Sequence, residues 1–214
     1  MIAAVASQVL AIDNSPDTIR ANEARPHPPN LSYCIGDAAL LSPAEIHCDL
    51  LVALQVIEHI PDASRFASIA AEATAPEGIA ILSTPNALLS VGENPYHERE
   101  YSLADLRDLL ARSFPCVELY GIHGSTKALA YHAHRRRLSG SLLQADFLRL
   151  RRLLPRWATS RAADLLGTAI KRYLHRRRPE RPESWDDEYS IAAERLPDAL
   201  DLIAVCGHSG RHAE

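Results

Sequence analysis

The chain has 214 residues, 47% of them apolar and 23% charged, with a formal net charge of −4. This balance excludes a wholly disordered chain and fits one domain, or one domain with an insertion, around a substantial core. No run reaches the roughly 18 apolar residues of a membrane span, and the start, MIAAVASQVLAID, has no basic leader; it reads as a helix tail and a strand.

The net charge hides a segregation. Residues 1–126 carry 6 Lys+Arg against 16 Asp+Glu, residues 127–182 carry 15 against 3, and residues 183–214 carry 2 against 8. Such asymmetry marks a separate module. The expected organisation is a core over 1–126, a basic helical insertion over 127–182, and a linker with a final core strand over 183–214. The four cysteines, Cys34, Cys48, Cys116 and Cys206, form no CxxC pair. Cys34, Cys116 and Cys206 fall in or beside predicted strands and read as reduced core thiols of a cytoplasmic protein.

In chain order, VLAIDNS (9–15) is the first apolar strand with a polar end. Ser15 then caps a helix with Pro16 at its first position. LSYCIGDA (31–38) is the second strand, closing at Gly36-Asp37-Ala38, and DLLVALQ (49–55) is the third. Asp62 caps the helix ASRFASIAAEA, Pro76-Glu77-Gly78 makes a turn, and IAILSTPN (79–86) follows as a strand. After a long loop, Ser102 caps LADLRDLLARSF, with Leu103, Leu106, Leu109 and Leu110 on one face. CVELYGI (116–122) and LDLIAVCG (200–207) are the last two strands. Between them the basic segment offers two helices, one with Leu143, Phe147, Leu150 and Leu154 on its apolar face, the other with Ala162, Leu166, Ile170 and Tyr173. Strands alternating with helices predict an α/β fold with a parallel sheet, whose ligands sit at the carboxyl ends of the strands.

VLAIDNSPDTIRAN, CIGDA, CDLLVALQVIEHIPD, PEGIAILSTPN, VELYG and LDLIAVC occur in an order and spacing that resemble the class I S-adenosylmethionine-dependent methyltransferases, of the small-molecule type that includes ubiquinone-biosynthesis enzymes. NPYHEREYSLADL is similar to a loop found in a subset of them. The resemblance implies a Rossmann-like sheet of seven strands whose last two, here 116–122 and 200–207, form a hairpin with one antiparallel strand. It implies S-adenosylmethionine as cofactor and O- or N-methylation of a small-molecule acceptor.

The same resemblance carries residues over. Asp13, with Asn14 beside it, stands where the family binds the cofactor ribose, and a carboxylate suits two hydroxyls; a turn or helix-capping aspartate is the alternative. Asp37 and the Ala38 amide stand at the adenine, with an ordinary loop aspartate as alternative. Leu54 and Gln55 stand against the methionine part. Glu58-His59 is open between bracing the loop, a catalytic His59 that takes the acceptor's proton, and a cation site. Some ubiquinone-pathway and small-RNA 3′-end methyltransferases hold a divalent ion in this segment, but Gln55 replaces their additional Glu, so no metal is expected. His97, with Glu98, Arg99 and Glu100, is the second catalytic candidate, on a loop that either meets the acceptor or is simply solvated. The basic segment is either a helical cover with a charged surface or a site for an anionic membrane or phosphorylated ligand; nucleic acid ranks below these.

Family members open with a strand and a glycine-rich turn under the cofactor, whereas here no glycine precedes Gly36. The expectation is an N-terminally truncated member of the fold: a late-started enzyme, a gene remnant, or a methyltransferase-like binding protein without activity.

Overall fold

The computed structural model describes residues 2–90, 97–130, 133 and 186–209. Two compact units divide the chain. The first holds Met1–Ser90, Asn94–Gly121 and Ala193–Glu214, and the second holds Val91–Glu93 and Ile122–Ala192.

Caps set the helix starts in the first unit. Ser15 Oγ accepts from the Thr18 amide and opens α1 (Pro16–Glu23), and Asp62 accepts from the Arg65 amide and opens α2 (Ala63–Ala73). Ser102 and Asp105 form a reciprocal capping box at the start of α3 (Leu103–Leu110). These bonds satisfy amides that have no partner inside the helix.

β1 (Val9–Asp13) and β2 (Leu31–Ile35) pair in parallel as one small sheet. A second sheet contains β3 (Cys48–Leu54), β4 (Thr74–Pro85), β7 (Asp201–Gly207) and β5 (Cys116–Gly124), in the order β3-β4-β7-β5. β3 runs parallel to β4, and β7 runs antiparallel to β4 from Ile79↔Gly207 to Pro85↔Asp201. The antiparallel direction brings the start of β7 to the carboxyl ends of β3 and β4. The core lies between this sheet and helices α2 and α3, with Phe66, Ala67, Ala70, Leu82, Leu106, Leu110, Phe114, Leu202, Ala204 and Cys206 all buried. The alanines of α2 let its backbone lie close on the sheet. Burial pushes the Cys206 thiol up to about 12.

The second unit contains the C-terminal end of β5, β6 (Tyr189–Ala192) and a turn in which the Ser125 amide donates to the Glu188 carbonyl at 2.8 Å. Among the described residues no helix is long and apolar enough to cross a membrane.

Several expectations are corrected. Pro76-Glu77-Gly78 is not a turn before a strand but lies inside β4, which begins at Thr74 and carries its extra residues in a register shift against β3, between the pairs Cys48↔Thr74 and Leu50↔Ile79. Gly78 makes that shift possible: a Cβ there would lie 2.8 Å from the Asp49 carbonyl oxygen and 3.1 Å from that of Ala75. Gly78→Ala is therefore expected to lower stability by about 1–3 kcal/mol through backbone displacement, read as a lower urea midpoint; an unchanged midpoint refutes it. The segment 2–4 is a single 3₁₀ turn rather than a helix tail. α3 ends at Leu110, where Ala111 caps it, before the predicted Phe114. Cys34 is exposed, because β2 is the edge of a two-stranded sheet, whereas Cys206 is buried in the core; all four cysteines are free. β6, only four residues long, was not anticipated. The predicted helices of the basic segment, and with them its anionic-ligand site, lie outside the described residues.

Candidate functional site

Strand ends place the residues. Parallel pairing through Asp13↔Ile35 sets the chain after β1 beside the chain after β2, and the Gly36 amide donates to the Asp13 carbonyl at 3.0 Å. Asp13 is half-buried and Asn14 exposed. The Asp13 Oδ1 accepts from the Ser15 amide at 2.8 Å, and the Asp37 Oδ1 accepts from the Ala39 amide at 2.9 Å. Both aspartates thus fulfil the local turn role and still present a carboxylate at a strand end. Ala38, next after Asp37, is half-buried.

Leu54 and Gln55 close β3 in the other sheet, which shares no strand pair with β1 and β2 among the described residues. Leu54 is 55% exposed, an apolar side chain left open at a strand end. Gln55 has a φ of 56°, in the left-handed region that a side chain adopts at a cost of about 1 kcal/mol or more. Its amide donates to the Ser83 carbonyl at 3.0 Å, and its side-chain nitrogen stands 3.5 Å from both Ser83 Oγ and Asp201 Oδ1. Burial holds the Asp201 carboxyl above its ordinary range; the Gln55 hydrogen bond opposes the shift and the charge of Glu58 adds to it.

Glu58 and His59 lie on a 3₁₀ turn, Ile57–His59, that follows β3. Glu58 is 1% exposed, and neither carboxylate oxygen has a hydrogen-bond partner among the described residues. Its backbone does different work: the Glu58 carbonyl accepts from the Glu98 and Arg99 amides at 2.8 and 3.3 Å. A further tie, from the Ala87 amide to the Tyr101 carbonyl at 3.0 Å, fastens the other end of the loop. Tyr101 is fully buried; burial raises its pKa, Arg99 opposes the rise, and Glu58 and Asp105 add to it.

Docking of this loop brings His97 to His59. Their ring centroids are 5.0 Å apart with planes inclined at 74°. His97 Nδ1 lies 3.1 Å from Glu100 Oε1, which also accepts from Ser90 Oγ at 2.7 Å. One Glu58 carboxylate oxygen and one ring nitrogen from each of His59 and His97 lie within 4.8 Å of one another, a grouping able to hold a cation. Glu100, Ser90, Ser83 and Asp201 were not assigned individual roles from sequence, since their places depend on loop docking and on the antiparallel β7 register.

The described elements make an α/β protein with two carboxylates at the ends of parallel strands, and comparison says which class it falls in. A family described as a methyltransferase domain matches residues 1–82. A probable S-adenosylmethionine-dependent methyltransferase of Mycolicibacterium smegmatis is 30% identical over 213 residues, covering 96% of this chain and 75% of that protein. Another, from Mycobacterium tuberculosis, is 31% identical over 214 residues, covering 96% of this chain and 70% of the relative. Among solved structures, phosphoethanolamine N-methyltransferase 2 of Haemonchus contortus has a similar fold, with a TM-score of 0.50 at 14% identity over 94% of this chain and 44% of that one. The chain belongs to the S-adenosylmethionine-dependent methyltransferases. Its methyl donor is S-adenosylmethionine.

Proposed function

We propose that the chain methylates a nitrogen or oxygen of a small-molecule acceptor at the Glu58–His59–His97 grouping. The observation that carries this is the meeting of two imidazoles from separate loops, at 5.0 Å between ring centroids, beside the carboxyl edge of β3. A sulfonium-bound methyl is already activated when the cofactor is bound. The protein's share is to hold the acceptor in line, exclude water and receive a proton. His59 and His97 are suited to the last task because imidazole accepts protons near neutral pH. Asp13 and Asn14 would hold the ribose, Asp37 and the Ala38 amide the adenine, and Leu54 and Gln55 the methionine portion. The four free thiols support work in a reducing compartment, the cytoplasm.

Calorimetry with S-adenosylhomocysteine tests the cofactor half. Asp13→Asn keeps an acceptor for the Ser15 amide but removes the charge, so the turn survives. Losing charge-assisted bonds of about 1.5–3 kcal/mol predicts roughly 10- to 100-fold weaker binding. Equal affinity in both proteins rules out the ribose role. Absence of binding by the folded wild-type chain favours a partner-binding role over catalysis.

A further inference from the structure

Resting on that reading of the site, we infer that the methyl acceptor is an amine that enters as an ammonium ion and is selected by Glu58. A carboxylate buried to 1% exposure, with both oxygens unpartnered among the described residues, is costly, and the cost falls when a cation lies against it. The two imidazoles stand beside it: a Glu58 oxygen and a nitrogen of each ring lie within 4.8 Å of one another. With no two of these atoms more than 4.8 Å apart, a nitrogen held among them stands at most about 2.8 Å from each, within hydrogen-bond reach. A primary ammonium has three N–H donors, and the Glu58 carboxylate, both of whose oxygens lack a partner among the described residues, can accept two of them.

The surroundings reinforce the sign. Asp201 experiences the charge of Glu58, and so does Tyr101, whose ring carries the Arg99 guanidinium at 5.2 Å from its centroid. Arg99 itself is taken up by Asp105 at 2.9 Å. Charge movement during transfer gives Glu58 its selectivity. The ammonium yields one proton to an imidazole and thence to water, and the freed nitrogen lone pair forms the new N–C bond. The methyl–sulfur bond breaks with its electron pair left on sulfur, so positive charge passes from sulfur to nitrogen. A fixed carboxylate near that nitrogen stabilises the charge as it arrives. The same carboxylate repels an alkoxide or phenolate, so oxygen acceptors are disfavoured.

Among the described residues the grouping holds one carboxylate, and Gln55, which stands in sequence where the resembling metal-binding enzymes carry a further Glu, directs its side chain to Ser83 and Asp201.

The test uses the 214-residue protein saturated with S-adenosylhomocysteine, titrated by calorimetry with two matched pairs, glucosamine with glucose and benzylamine with benzyl alcohol. The same titrations are run on Glu58→Gln, with melting curves as a check on folding. At least one amine is expected to bind tenfold or more tightly than its alcohol, and Glu58→Gln is expected to abolish that preference. Equal affinity for amine and alcohol in the wild type overturns the inference without needing the variant. So does a preference that Glu58→Gln leaves intact, or one that EDTA removes and Zn²⁺ or Mn²⁺ restores, which would identify a metal site. Failure to bind S-adenosylhomocysteine sinks the functional reading itself, whereas cofactor binding without amine preference sinks only this inference.

Discussion

Asn86→Ala is expected to cost about 2–4 kcal/mol of stability. Asn86 is 1% exposed, and its side-chain nitrogen donates toward the carbonyls of Ala199, Leu196 and Pro197 at 2.8, 3.3 and 3.3 Å. Its Oδ1 accepts from the Leu88 amide at 3.1 Å, and its own amide donates to the Leu200 carbonyl at 3.1 Å. One side chain therefore ties the end of β4 to the segment that leads into β7. Removing it strands several main-chain polar groups out of reach of water, the more expensive way to lose hydrogen bonds. Asn86→Asp keeps the Oδ1 acceptor but faces carbonyls with a charge and no donors, so it should be at least as damaging. Urea unfolding checks both; a change below about 0.5 kcal/mol for either would show that the carbonyls find other partners.

His97→Ala should lower kcat by about 100- to 1,000-fold, the usual contribution of a positioned proton acceptor. Affinity for S-adenosylhomocysteine should stay within about twofold, since His97 is not among the residues proposed to hold the cofactor. Once an acceptor is in hand, full turnover by this variant would remove His97 from the chemistry. Glu100→Gln gives a useful contrast. Glu100 touches His97 rather than the acceptor, so its loss should shift the pH profile of kcat while leaving the proton acceptor in place.

Local signals in the sequence were legible and tertiary ones were not. Ser15, Asp62 and Ser102 marked helix starts to the residue because a capping side chain acts within its own turn. The strands that end at Asp13, Ile35 and Leu54 were visible because apolar runs stop where polar turns begin, although the expected second and third strands ran on to Ala38 and Gln55. The site was half visible: Glu58-His59 and His97 could each be picked out as candidates. Their meeting could not, because it depends on two backbone amides reaching one carbonyl across the fold. Asp201 looked like an ordinary strand start until the antiparallel pairing of β7 carried it to Gln55. Gly78 resembled a turn glycine for a related reason, since a turn and a bulged strand use the same residue for the same steric freedom.

Glu58 fastens the His97 loop with its main chain and charges the site with its side chain. Any residue at position 58 except one that distorts the backbone offers the same carbonyl, so the loop's anchorage does not depend on what the side chain is. Acceptor preference can therefore drift through single replacements there while His97 keeps its station. In a lineage of such enzymes, variation at this position would track the chemistry of the acceptor, and the loop's shape would outlast each change.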